Sequence, residues 1–249
     1  MKKKLLILFS ALIIIGFGYL IIENGMQKKK NDIYEEVQEQ VDNGKKVIEE
    51  EKEIEEKEEI IIPIDFHALK EINPDIYAWI DIDDTNVHYP IVQSSTDDSY
   101  YLEHTIEGAE GYPGSIYTER VNTKDFSDFN TLIYGHNMRD GSMFNHLHKF
   151  SDAEFFASHD KITIYTEDEI KEYTIYAALI YDDRHIMNCF DFSRTDERER
   201  FIQTVKESRN LRNQFRDGIE ITADSNLITL STCTEDPSTR FIVIGVEDK

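Results

Sequence analysis

From Pro63 onward, apolar residues come in short runs rich in Val, Ile, Thr and Tyr. The runs are 86–92 (NVHYPIV), 114–118 (GSIYT), 130–134 (NTLIY), 161–166 (KITIYT), 170–181 (IKEYTIYAALIY), 218–223 (GIEITA), 226–231 (NLITLS) and 239–246 (TRFIVIGV). Several alternate with period two, as half-buried strands do. Helical segments are fewer. Residues 65–72 lead into an Asn-Pro turn, 142–157 mix apolar and polar positions, and 195–208 (TDERERFIQTVKES) open with Thr and acids, as a helix N-terminus does. Eight short strands with few helices predict a mainly β chain of α+β type, a β-barrel with helical insertions.

Ahead of this block the composition changes twice. Residues 1–30 carry a net charge of +5, and 5–22 (LLILFSALIIIGFGYLII) hold no charge over 18 positions. That length suits an uncleaved membrane anchor better than a signal peptide, whose apolar region is usually about 7–15 residues. Lysines flank it on both sides, Lys2, Lys3 and Lys4 before and Lys28, Lys29 and Lys30 after. An N-in, C-out orientation is expected because the chemistry below needs an extracellular domain. Residues 31–62 then hold 13 acids and four lysines. Ile33, Val37 and Val41 recur at i+4 without a sustained heptad, so a solvated stalk is expected, with Pro63 opening the compact domain. The expected divisions are thus 1–30 anchor, 31–62 acidic linker and 63–249 catalytic domain. The whole chain carries −23, which argues against nucleic acid as a partner.

Two cysteines are too few for a disulfide framework and read as free thiols. Cys189 sits among apolar residues in HIMNCFDF and reads as inert. Cys233 ends a β-branched run in ITLSTCTEDPSTRF, and Arg240 starts the next one. If these runs form a hairpin, TEDPS is the loop, and Cys233 and Arg240 face each other at one end. An arginine there could hold a thiolate and stabilise an oxyanion. From spacing alone, a buried structural cysteine beside an incidental arginine fits as well. Among the eight histidines, His136 in TLIYGHNMRDGSMF also sits where a strand meets a loop, as a general acid and base would. His146 and His148 are spaced for metal binding but lack a third ligand, and DIDDTN at 81–86 lacks the glycine and distal glutamate of a calcium loop, so no metal is expected. His67, His88, His104, His159 and His185 read as ordinary surface or satisfied histidines.

These residues resemble a family. TLSTC followed by Arg240 is similar to the sortase signature, and YGHNMRDGSMF looks like the histidine segment of class B members. YAWIDIDDTNVHYPIVQ, DDSYYLEH and GSIYTERVN resemble further class B segments in the same order, so the likeness covers roughly residues 72–246. It implies an eight-stranded barrel with an N-terminal helical segment and a helix, matched by 195–208, before the last two strands. It implies Cys233 as nucleophile, His136 as proton donor to the leaving amine and Arg240 as oxyanion stabiliser. Leu102 matches an apolar position of the substrate groove, and Ser231 and Thr232 lie beside the nucleophile where a peptide could touch them. Asp98 stands where class B members can carry Asn, and the Cys-to-Arg loop is short for the class. No cofactor is implied.

The implied activity is a cysteine transpeptidase cleaving a C-terminal sorting signal of N-P-x-T-x type after threonine. It would transfer surface proteins to a peptidoglycan-precursor or pilin amine, at a Gram-positive cell membrane. Two alternatives stand beside it. A hydrolytic cysteine peptidase would make no amine-linked product, and a non-catalytic surface adhesin would leave Cys233 no more reactive than Cys189.

Overall fold

The computed structural model describes residues 32–43, Lys45 and 61–248. Helix α1 covers 32–43, and α2 spans Phe66–Ile72. The strands are β1 (Ile76–Asp81), β2 (His88–Val92), β3 (Ile116–Tyr117), β4 (Asn130–Tyr134), β5 (Lys161–Tyr165), β6 (Ile170–Asp182), β7 (Gln214–Phe215), β8 (Leu227–Cys233) and β9 (Thr239–Glu247). A 3-10 stretch, Asn145–Ser151, runs into α3 (Ala153–Ser158), and α4 (Ile186–Cys189) and α5 (Thr195–Glu207) lie between β6 and β7.

Eight strands close a ring in the order β5-β1-β2-β3-β4-β8-β9-β6, with β6 pairing back to β5. The two-residue β7 adds to β6 outside that ring. The ring is the expected barrel, with α5 inserted before the last two strands. Most neighbours are antiparallel, but two pairs are parallel: β2 with β3, and β4 with β8, the latter in register Asn130 with Leu227 through Tyr134 with Ser231.

Burial on both faces explains the dense apolar runs near the C-terminus. In β9, Phe241 and Val243 join one core while Ile242 and Ile244 join a second. The first fills the barrel. The second lies outside β4, β6, β8 and β9 and is covered by Phe201, Ile202 and Val205 of α5. These three fall on one helical face, so α5 is amphipathic and its charged residues stay in water.

The structure departs from the sequence reading in four places. Residues 218–223 alternate, yet they form no strand: Ile221 and Ala223 are buried without a ladder partner. β1 was missed because IYAWI is buried throughout and shows no alternation. Part of the supposed solvated stalk is packed, since Tyr34, Val37 and Val41 of α1 lie in the first core. The Tyr34 hydroxyl donates to the Gly114 carbonyl at 2.5 Å. The fourth concerns the expected single-pass membrane protein with an extracellular domain. Among the described residues no helix is long and apolar enough to cross a membrane. Even α5, at 13 residues, is about 20 Å long against a hydrocarbon core of about 30 Å. That localisation is therefore corrected. The run 5–22 on which it rested lies outside the described residues, as do residues 46–60 of the supposed stalk.

Candidate active site

Cys233 ends β8, and Arg240 is its partner across the β8–β9 hairpin. The hairpin loop closes on itself. Asp236 accepts from the Ser238 amide and hydroxyl at 2.9 and 2.6 Å, and the Thr239 amide donates to the Asp236 carbonyl at 3.0 Å. These bonds hold the two strand ends together. Arg240 uses Nη1 to donate to the Pro237 and Thr239 carbonyls at 3.0 and 2.9 Å. Among the described residues its other guanidinium N–H groups make no hydrogen bond.

His136 follows β4, the parallel neighbour of β8. Between strand and histidine stands Gly135, whose amide donates to the Ser231 carbonyl at 3.2 Å. A Cβ here would come within 2.4 Å of Ile116 Cδ1 and 2.8 Å of the Phe144 ring, so only glycine fits. The His136 ring meets Tyr112 edge-on at 4.8 Å, and its Nε2 lies 2.7 Å from the Leu102 carbonyl. A carbonyl only accepts, so Nε2 carries the proton and Nδ1 is the basic nitrogen of the neutral ring. Gly114, at φ +65°, lets this region close up: a Cβ there would sit 2.6 Å from the Leu102 oxygen and 3.1 Å from His136 Cδ2.

One cleft of about 400 Å³ is lined by Cys233, His136, Arg240, Leu102, Ser231 and Thr232, all six residues singled out in the sequence. Leu102 is 39% exposed, while Ser231 and Thr232 are buried. The cleft is also lined by the stretch from Tyr181 to Ile186, none of which the sequence marked as site residues. There His185 reaches Glu119 at 2.6 Å. It is a histidine satisfied through Nε2, and its partner lies 66 positions away, beyond any local pattern. Burial pushes the Tyr181 phenol up to about 12. Three buried polar atoms of cleft-lining residues, Tyr181 Oη, His185 Nδ1 and Thr232 Oγ1, have no hydrogen-bond partner among the described residues.

Asp98 is outside the cleft. It accepts both arms of Arg120 at 2.9 and 3.0 Å, which holds its carboxyl below the usual range. The pair His146 and His148 is divided: His146 Nδ1 accepts from the Asn86 amide, and His148 Nε2 lies 3.0 Å from the Cys233 carbonyl. Among the described residues no group of three or more His, Cys, Asp or Glu could hold a metal.

The sortase domain model matches residues 80–248, about two thirds of the chain. The chain belongs to the sortase family. Sortases are cysteine transpeptidases, and the relatives place this sortase in class B. Sortase B of Listeria monocytogenes is 35% identical over 168 residues, 66% of this chain and 65% of that protein. Sortase B of Staphylococcus aureus is 26% identical over 98% of this chain and 97% of that protein. The crystal structure of sortase B from Bacillus anthracis superposes with a TM-score of 0.72 at 31% identity, covering 90% of this chain and 99% of that one. The sortase barrel thus carries its cysteine on β8, its histidine after β4 and its arginine on β9, around one cleft.

Proposed function

We propose that this sortase cleaves C-terminal sorting signals of N-P-x-T-x type after the threonine and joins the freed carboxyl to an amine. The amine would belong to a peptidoglycan precursor or a pilin lysine. The observation that carries this reading is the convergence of Cys233, His136 and Arg240 on one cleft.

In the proposed reaction the Cys233 thiol gives its proton to His136, and the thiolate Sγ attacks the threonine carbonyl carbon. The oxyanion accepts hydrogen bonds from the Arg240 guanidinium, a donor array preorganised for developing charge. His136 gives a proton to the leaving amine as the C–N bond breaks, and a thioester remains on Cys233. The incoming amine attacks that thioester, His136 takes its proton, and the thiolate leaves. Leu102 supplies apolar contact, while Ser231 and Thr232 meet the peptide beside the sulfur. As to organisation, residues 63–249 form the catalytic unit in this reading, with α1 packed onto it.

Residues 32–249 would be incubated with fluorogenic peptides bearing N-P-x-T-x motifs, with and without added amine, beside Cys233→Ala. Cleavage that vanishes in the variant and gives an amine-linked product supports the proposal. Cleavage indifferent to amine would make the protein a hydrolase, and cleavage surviving Cys233→Ala would rule out the thioester.

A further inference from the structure

The β4–β8 ladder ends one residue short of the catalytic groups. Its last main-chain bond runs from the Gly135 amide to the Ser231 carbonyl. Two residues on, the parallel pattern would continue from the amide of 137 to the carbonyl of 233. Side chains hold that carbonyl instead. Asn137 Nδ2 donates to the Cys233 oxygen at 3.0 Å, and His148 Nε2 approaches the same oxygen at 3.0 Å. The same Nε2 lies 3.1 Å from Asn137 Nδ2, which only donates, so the ring bonds the Cys233 carbonyl when Nε2 carries its proton and bonds Asn137 when it does not. Asn145 Nδ2 donates to Asn137 Oδ1 at 2.7 Å, fixing which end of that amide faces Cys233. The His148 ring packs 4.9 Å from Phe241, the residue paired with Thr232. The bracket thus ties the nucleophile's own peptide group to the residue directly after His136.

We propose that Asn137 and His148 are positioning residues of the transpeptidation reaction, setting the approach of Cys233 to His136 where the backbone ladder stops. They act through the Cys233 peptide and do not touch substrate. This rests on Cys233 and His136 reacting together, as proposed above. Burial lowers the basicity of His148, against the opposing pull of the Cys233 carbonyl, and so favours the neutral donor. Loss of the bracket lets the end of β8 drift, and displacement of about 1 Å at a reacting atom costs on the order of 100-fold in rate.

The test compares His148→Leu, His148→Gln and Asn137→Ala in residues 32–249. Glutamine places an amide donor near the position of the imidazole Nε2, while leucine fills the space and donates nothing. Expected for His148→Leu is a fall in kcat of about 10- to 100-fold with KM changed less than about twofold. Hydrogen exchange over residues 231–234 should rise, and His148→Gln should restore both. Asn137→Ala should lower kcat similarly, and the double variant should lose less than the product of the single losses, since both residues serve one carbonyl. Parent kcat in His148→Leu, or failure of His148→Gln to recover activity despite normal folding, would overturn the proposal. If the parent protein turns over no N-P-x-T-x peptide, the sorting-motif reading fails on its own. Hydrogen exchange needs no peptide and still decides the bracket: unchanged exchange at 231–234 in His148→Leu and Asn137→Ala would sink it.

Discussion

At the scale of single residues, Arg240 is the group whose chemistry its neighbours most restrict. Its Nη1 is committed to two carbonyls, so the rest of a rigid fork meets the ligand. Arg240→Ala should lower kcat about 100-fold, and Arg240→Lys should recover only part of that, because an ammonium lacks the planar fork. Steady-state kinetics on a cleaved peptide would check this, and full recovery by lysine would reduce the role to bare charge. Gly135→Ala should cost about 1–3 kcal/mol through overpacking against Ile116 and Phe144, and should also lower kcat by moving His136. Urea denaturation and kinetics on the same preparation read the two effects. The facing pair Cys233 and Arg240 was legible because a hairpin fixes which residues meet across it, and their spacing states that register. His136 was legible from its place at the end of an apolar run. His148 was not, because its partner is a main-chain oxygen 85 positions away, and a carbonyl leaves no mark in a sequence.

At the scale of elements, α1 shows how composition misleads. Tyr34, Val37 and Val41 lie on one face, yet the acids around them suggested a solvated stretch. Net charge measures the exposed faces and says nothing against a narrow apolar stripe. The signal was Tyr34 itself, at i−3 from Val37. Burying these three side chains contributes about 1.5–3 kcal/mol each before the cost of ordering the helix. Residues 61–249 should therefore unfold at lower urea than 32–249. They should also be less active, because the Tyr34 hydroxyl holds Gly114 against the His136 ring. Equal midpoints would show α1 to be dispensable. The turn before β4 carries an acid-sensitive carboxylate. Thr123, first, and Ser127 hold Asp125 down to about 2, from an ordinary value of 3.8. A carboxyl depressed in the folded state adds stability above its ordinary value and loses it as pH falls through the depressed one. Asp125→Asn should flatten the stability profile between about pH 4 and 2, and melting temperatures across that window would reveal an unchanged slope if the contacts are idle.

At the scale of the whole molecule, the barrel was legible from repeated short β-rich runs, while its closure was not. The β5–β6 pairing that shuts the ring and the parallel β4–β8 pairing depend on which strands meet after long connections. Neither leaves a local pattern, just as the alternation at 218–223 marked burial without marking a partner. The parallel pairing has a consequence for how such a protein can diverge. Cys233 ends β8 and His136 follows its neighbour β4, whereas the lining residues Asp183, Arg184, His185 and Ile186 belong to the long excursion between β6 and β7. We infer that part of the peptide selectivity is encoded apart from the chemistry. Replacing residues 183–213 with the corresponding stretch of another class B sortase should change which peptide is accepted and leave the rate of thioester formation from a matched peptide within about tenfold. A chimera that lost reactivity toward every peptide would show the two to be coupled. Exposed positions of the excursion can change without touching either core, whereas Phe201, Ile202 and Val205 within it, like the two neighbouring strands, are held by the cores they fill.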